Sequence, residues 1–123
     1  MAEDLTEGFV CSNLSDDLSG LSFKEIPIEK VSENFVKIDI KAASLNFPDL
    51  LMTQGKYQNK PELPFALGME GSGVISQMGS DVKNYKIGDE VMFGGWGHGA
   101  IAKSIVCLLY TSPSPPRPSV ISY

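Results

Sequence analysis

Basic residues are scarce in this chain, and their scarcity argues against several classes of protein. Lys and Arg number 10 against 15 Asp and Glu, which gives a net charge of −5 at pH 7. No run of Lys or Arg occurs, so we expect binding neither to nucleic acid nor to anionic membranes. A stretch approaching the ~20 apolar residues that span a bilayer is also missing. The acidic start, Met1 to Asp4, precedes no apolar run, which is not the pattern of a secretory signal.

Cysteine and histidine are rarer still. The cysteines are Cys11 and Cys107, and the single histidine is His98. Two isolated cysteines make no disulfide framework, so we expect reduced thiols and a cytoplasmic location. One histidine cannot support a Ser/His/Asp constellation. A proton relay is open to His98, because its reference pKa lies near neutrality, but we interpret it as an exposed loop residue.

The length of 123 residues gives room for one domain with a modest core. Residues 1–20 are polar and acidic, and we interpret them as an irregular start in which residues 9–11 are a candidate short strand. Residues 21–106 form the domain. Residues 107–123 contain four prolines and four serines, a composition typical of a flexible tail or linker.

Period-two alternation is the clearest structural signal in the chain. Between residues 35 and 42, the apolar Val36, Ile38 and Ile40 alternate with charged neighbours, which predicts a strand with one buried face. Residues 21–28 predict another strand, and the proline at position 27 marks it as an edge. Further short strands separated by Gly/Asp turns follow over residues 74–78 and 90–93. The pattern indicates a mainly β fold, a compact and largely antiparallel barrel.

A short helix interrupts this β pattern. Pro48 suits the first helical turn, where its missing N–H costs nothing, and Asn46 is a plausible cap just upstream. We predict a helix from about Pro48 to Thr53. Gly55 fits the left-handed position that ends it.

Two segments carry a family resemblance. One is residues 46–57, which begins Asn46-Phe47-Pro48-Asp49, and the other is residues 63–73, which contains Gly68-Met69-Glu70-Gly71. Together they resemble the catalytic-domain core of the medium-chain dehydrogenase/reductase superfamily, in its zinc-free quinone oxidoreductase branch. The resemblance covers residues 18–106. It implies a GroES-like, partly open β barrel with a short helix.

The resemblance also implies an activity. Members of this branch use NADPH to pass a hydride to a quinone or an enone, and we expect the parent protein to be a homo-oligomer. In the family a Rossmann domain that binds NADPH follows the barrel. That Rossmann domain is absent from these 123 residues, so we expect no turnover from them alone. The tail from Cys107 does not resemble the family's continuation, and we interpret it as non-native sequence.

Four residues are candidates for the site. By resemblance, Asn46, Asp49 and Tyr57 face the nicotinamide pocket as catalytic residues, and Asn46 and Glu70 bind the cofactor. A carboxamide or a phenol can orient a carbonyl or the nicotinamide amide by hydrogen bonds. Each residue has a structural alternative. Asn46 also suits a helix cap, Asp49 a first-turn carboxylate, Tyr57 half-buried packing and Glu70 a structural hydrogen bond on a buried barrel edge.

A zinc site is not expected. The zinc-dependent dehydrogenases place a Cys within the segment that here spans residues 43–46, and a His directly before Glu70. Here that second position is Met69, a poor zinc ligand. Only two cysteines exist, so the four-cysteine structural zinc lobe is missing as well.

The segment 95–100 formally matches the dinucleotide fingerprint G-x-G-x-x-G/A. The fingerprint needs a helix after it and an acidic residue about 20 positions later, and no Asp or Glu follows Glu90. By resemblance it is a glycine-rich bend before a strand from Ala100 to Lys103 that closes the domain. A competing hypothesis for the whole chain stays open, a free-standing GroES-like barrel used as a binding or assembly module.

Overall fold

The computed structural model describes residues 4–28, 30–58, 60–94, 99–108 and 119–122. These residues form two sheets and one helix. The elements are β1 (Asp4–Cys11), β2 (Leu21–Ile28), β3 (Phe35–Ala43), α1 (Phe47–Gln54), β4 (Phe65–Ala66), β5 (Glu70–Met78), β6 (Glu90–Gly94), β7 (Ser104–Leu108) and β8 (Ser119–Ser122).

The strands are arranged in the orders β2-β1-β4 and β7-β3-β5-β6-β8. All pairs are antiparallel except β6 with β8, which is parallel. The two sheets do not close into a continuous cylinder. The mainly β, partly open barrel with one short helix is therefore confirmed, and β2 is the edge strand that its proline indicates.

The strand β3 lies inside the larger sheet, between β7 and β5, and contributes two residues to its core. Val36 and Ile38 have no exposed surface, as the alternating pattern predicts. They pack with residues of the neighbouring strands in one apolar cluster, completed by Ile75, Val91, Phe93, Ala100, Ile105 and Cys107. The alternation weakens toward the end of the strand, where Ala42 and Ala43 are both exposed.

Close backbone approach between β3 and β5 explains the glycines of β5. A Cβ on Gly73 would overlap the carbonyl oxygen of Asp39, and a Cβ on Gly71 would lie 2.7 Å from the carbonyl oxygen of Ala42. The pairing also shifts register twice, between residues 37 and 38 and between residues 40 and 42. Glycine is needed here because a neighbouring backbone fills the space of a side chain.

A buried pair of hydroxyl groups joins the two sheets. The Ser104 hydroxyl donates to Thr6 Oγ1 at 2.9 Å, and the Ser104 backbone N–H donates to the same oxygen at 3.0 Å. Next to them, Lys103 Nζ lies 2.7 Å from Glu7 Oε1. These contacts connect the first strand to the start of β7, 98 positions later in the chain.

Three expectations need correction. The irregular start predicted for residues 1–20 is wrong for residues 4–8, which form β1 together with the candidate strand at residues 9–11, against β2 and β4. The strand predicted from Ala100 to Lys103 begins later, at Ser104. The boundary at residue 106 is also too early, because Cys107 pairs with Val36 inside the sheet and is buried. In each case the stabilising partner is distant in sequence.

Some expectations lie outside the described residues. The glycine-rich bend is described only from residue 99 onward, so His98 is not among the described residues. Of the predicted Pro/Ser-rich tail, residues 119–122 form a strand beside β6, and residues 109–118 lie outside the described ranges. The flexible and non-native character of the tail stays a prediction.

The buried position of Ile38 predicts a large effect on stability. We expect Ile38→Ala to lower the free energy of unfolding by about 3 kcal/mol, because the lost side chain leaves a cavity between two strands. Ile87→Ala is the matched control. That side chain is 64% exposed, so its loss should change stability by less than about 0.5 kcal/mol. Urea unfolding of the three chains measures both effects, and equal losses would contradict this core assignment.

Candidate functional site

A groove of about 510 Å³ opens where β3 ends, β5 begins and β6 ends. Its wall is mostly apolar, with one polar corner formed by Ser44 and Glu70. Such a combination of an apolar surface with a few convergent polar groups is typical of small-molecule sites. The apolar lining comes from Ala42, Ala43, Gly71, Met92, Phe93 and Gly94.

Three side chains form a closed ring of hydrogen bonds at the polar corner. The Ser44 hydroxyl donates to Glu70 Oε1 at 2.7 Å. The Asn46 amide nitrogen donates to Ser44 Oγ at 3.3 Å and to Glu70 Oε1 at 3.4 Å. We call these three residues the polar cluster. Glu70 is exposed, so the prediction that it lies on a buried edge is wrong; it begins a strand at the open rim of the sheet.

At the start of α1, the Asp49 side chain is buried, whereas the Asn46 side chain belongs to the polar cluster. Asn46 is the cap residue, with extended backbone angles of φ −123° and ψ 159°. The Asp49 carboxylate accepts a hydrogen bond from the Asn46 backbone N–H at 2.9 Å. Asp49 itself is only 1% exposed, and its Oδ1 has no hydrogen-bond partner among the described residues. Asp49 therefore holds the Asn46 backbone, whereas the Asn46 side chain donates to Ser44 and Glu70, which line the groove.

Tyr57 follows the helix and is not part of the polar cluster or of the groove lining. It is half-buried and packs against the second apolar cluster, which consists of Cys11, Met52, Phe65 and Leu67. Of the four candidates, only Glu70 is among the described residues that line the groove, and Asn46 is joined to it by a hydrogen bond. The structure thus brings Asn46 and Glu70 into hydrogen-bond contact, whereas Asp49 is buried and Tyr57 packs against the second apolar cluster.

Met69, at the position where zinc-dependent relatives are expected to have a ligand, packs against the same second cluster. Within the described ranges, no group of three or more His, Cys, Asp or Glu side chains could hold a metal ion. No helix in the described part of the chain is long and apolar enough to cross a membrane.

Both cysteines are buried, which makes them poor nucleophiles. Burial raises the pKa of the Cys107 thiol to about 12, and it also raises the pKa of Cys11. The Cys11 thiol donates to the Asn13 carbonyl oxygen at 3.3 Å. The two thiols belong to different apolar clusters. Neither carries the chemistry of the site, because only the thiolate is reactive.

Ser44 is the member of the polar cluster that sequence reasoning did not single out. A signal for it was present, because Ser44 stands two positions before Asn46 in extended chain, where side chains two apart face the same side. Its partner Glu70 is 26 positions away, so only the pairing of strands brings the two together.

Comparison of the sequence with known protein families identifies the class of protein to which this fold belongs. Residues 32–110 match the alcohol dehydrogenase GroES-like domain. The chain belongs to this family, the catalytic-domain family of the medium-chain dehydrogenase/reductase superfamily, and the expectation from resemblance is confirmed at this level.

Relatives in sequence include proteins named quinone oxidoreductase-like. The chain is 39% identical over 83 residues to quinone oxidoreductase-like protein 2 of Rattus norvegicus, which covers 68% of the chain and 23% of the relative. It is 47% identical over 57 residues to the human synaptic vesicle membrane protein VAT-1 homolog-like, which covers 46% of the chain and 14% of that relative. The chain thus spans about a quarter or less of these relatives.

Solved structures agree in fold. A probable oxidoreductase from Mycobacterium abscessus superposes with a TM-score of 0.78 at 32% identity, over 87% of this chain and 33% of that one. The human VAT-1 homolog-like protein gives 0.80 at 29% identity, over 94% and 37%. A quinone oxidoreductase from Coxiella burnetii gives 0.76 at 27% identity, over 85% and 35%.

The burial of Cys107 predicts a dependence of stability on pH. Its pKa rises from 9.0 to about 12 on folding, so its contribution is complete below pH 9 and is lost as the pH rises toward 12. The sign follows because above pH 9 the unfolded chain releases the thiol proton while the folded chain keeps it. Urea unfolding at several pH values should show a steeper alkaline decline for the unchanged chain than for Cys107→Ala. Parallel profiles would contradict the burial.

The position of Asp49 predicts a loss of stability at the helix start. We expect Asp49→Ala to lower the free energy of unfolding by about 1–2 kcal/mol, because the Asn46 N–H loses its acceptor and the helix its first-turn carboxylate. Asp81→Ala, at an exposed carboxylate, is the control and should have little effect. Thermal unfolding followed by circular dichroism compares the two. A smaller loss for Asp49→Ala than for the control would contradict this role.

Proposed function

We propose that this chain is the catalytic-domain segment of an NADPH-dependent quinone oxidoreductase or enone reductase, which transfers a hydride to a conjugated carbonyl. The observation that carries the proposal is the polar cluster at the rim of an apolar groove, in a chain of this family. The chain spans about a quarter of the length of its relatives. We therefore propose this activity for the whole protein and not for the 123-residue chain alone.

The residues of the rim suit the nicotinamide end of the cofactor. Glu70 Oε1 accepts from Ser44 and Asn46, and Glu70 Oε2 has no partner among the described residues. That second oxygen can accept from an amide N–H or a ribose hydroxyl. The apolar lining suits a flat ring. Asn46 and Glu70 would hold this end of NADPH, which supplies the hydride when it is bound.

The other candidates support the site in different ways. Asp49 acts through Asn46 as a positioning residue, since its carboxylate bonds the Asn46 backbone and is itself buried. Tyr57 would contribute mainly by packing behind the helix, and a contact of its phenol with the acceptor stays a prediction.

The acceptor follows from the chemistry of the groove. Alanine, methionine and phenylalanine side chains line most of it, so we expect an apolar quinone or enone and no phosphorylated or highly charged substrate. We further propose that the reaction uses no zinc, because Met69 takes the place of a ligand. NADPH over NADH, a homo-oligomeric parent and a cytoplasmic location remain predictions.

A chimera tests the proposed function. Residues 1–108 are joined to the remainder of the rat quinone oxidoreductase-like protein 2, which supplies the length that this chain does not cover. We expect the folded chimera to oxidise NADPH with 1,4-benzoquinone or with an enone, and the 123-residue chain alone to show no turnover. NADPH absorbance follows the reaction.

Variants of the chimera locate the site. Asn46→Ala should lower kcat/KM about tenfold, as expected for one lost hydrogen-bonding group. Asn84→Ala, at an exposed asparagine outside the groove, should leave it unchanged. A chimera that folds and binds NADPH but reduces neither acceptor contradicts the proposal and favours a binding module. Turnover by the 123-residue chain contradicts the predicted need for a second domain.

A further inference from the structure

We propose that Ser44 is a positioning residue of the site, which fixes the Glu70 carboxylate so that its second oxygen accepts the carboxamide N–H of a nicotinamide ring. This inference rests on the proposed function and adds to it a residue and a ligand group. It begins from the shortest hydrogen bond between side chains of the rim, 2.7 Å from Ser44 Oγ to Glu70 Oε1.

The hydroxyl of Ser44 is used in both directions. It donates to Glu70 and accepts from the Asn46 amide at 3.3 Å. The Ser44 backbone N–H also donates to the Glu70 carbonyl oxygen at 3.4 Å, so the two residues are joined by main chain as well as by side chain. A side chain held by several such contacts loses little freedom when a ligand binds, which is how supporting residues tune a site.

The cluster leaves an acceptor for the ligand. Both hydrogen bonds donated by the Asn46 amide group stay within the cluster, one to Ser44 and one to Glu70. Among the described residues, no Lys or Arg forms an ion pair with Glu70. The rim therefore presents the second carboxylate oxygen of Glu70. Among the described residues, the groups that donate to the Glu70 side chain are the neutral Ser44 hydroxyl and Asn46 amide.

This arrangement selects between the two ligands of the proposed reaction. A quinone or enone carbonyl carries only acceptor oxygens, and its approach to Glu70 would be unfavourable. A primary carboxamide brings N–H donors. The polar cluster consequently serves the nicotinamide end of the cofactor, and the acceptor lies along the apolar part of the groove formed by Met92 and Phe93.

The test uses the 123-residue chain and two independent readouts. The first is the nuclear magnetic resonance signal of the Asn46 side-chain amide, which reports the cluster without any ligand. The second is the affinity for reduced nicotinamide mononucleotide, which contains the nicotinamide ring and its ribose, measured by chemical-shift titration. The variants are Ser44→Ala, Ser44→Thr and, as a matched control at an exposed serine outside the groove, Ser80→Ala.

We expect Ser44→Ala to shift the Asn46 amide signal and to weaken binding about tenfold, the effect of one hydrogen bond to a charged group. Ser44→Thr keeps the hydroxyl and should restore both readouts to within about twofold, and Ser80→Ala should leave both unchanged. Reduced nicotinic acid mononucleotide, with a carboxylate in place of the carboxamide, should bind at least about tenfold more weakly to the unchanged chain.

The outcomes separate the two proposals. If Ser44→Ala matches Ser80→Ala in both readouts, Ser44 does not position the cluster and the inference is wrong. Equal binding of the carboxamide and carboxylate nucleotides overturns the assignment of the ligand group. If the unchanged chain binds neither nucleotide, the proposed cofactor site is contradicted, and the Asn46 signal alone decides whether Ser44 orders the cluster.

Discussion

The antiparallel pairing of β3 with β5 is the interaction on which the rest of this structure depends. The two backbones approach so closely that Gly73 meets the Asp39 carbonyl oxygen where another residue would carry a side chain. This contact lets Ile38 and Ile75 pack in the same buried cluster. Strands on both outer sides then extend the sheet, β7 beside β3 and β6 beside β5.

The site is a consequence of the same pairing. Ala43 lies opposite Gly71, so the residue after β3 faces the residue that begins β5. Those residues are Ser44 and Glu70, and the small side chains around them leave the groove open. The helix that follows turns Asn46 toward this rim while the buried Asp49 carboxylate accepts its backbone N–H. A single strand register thus determines both the core and the groove.

Burial and contacts differ among the candidate residues. Asp49 and Tyr57 belong to the same short segment as Asn46, yet Asp49 is buried and Tyr57 packs against the second apolar cluster. Glu70, expected on a buried edge, is exposed at the rim. The family resemblance groups these residues because they stand in the two matching sequence segments. The three-dimensional structure separates them by the direction of each side chain.

The sequence by itself determined the local features. Alternation along residues 35–42 indicated β3, and Pro48 with Gly55 delimited the helix, which the structure places at Phe47–Gln54 with Gly55 in the left-handed conformation. These signals are local because they depend on dihedral preferences and on period. Only the tertiary structure decided that β1 pairs with β2 and β4, that Cys107 belongs to the core and that Ser44 meets Glu70. Each of these contacts joins distant positions, and their stability comes from burial and from hydrogen bonds that no short stretch of sequence contains.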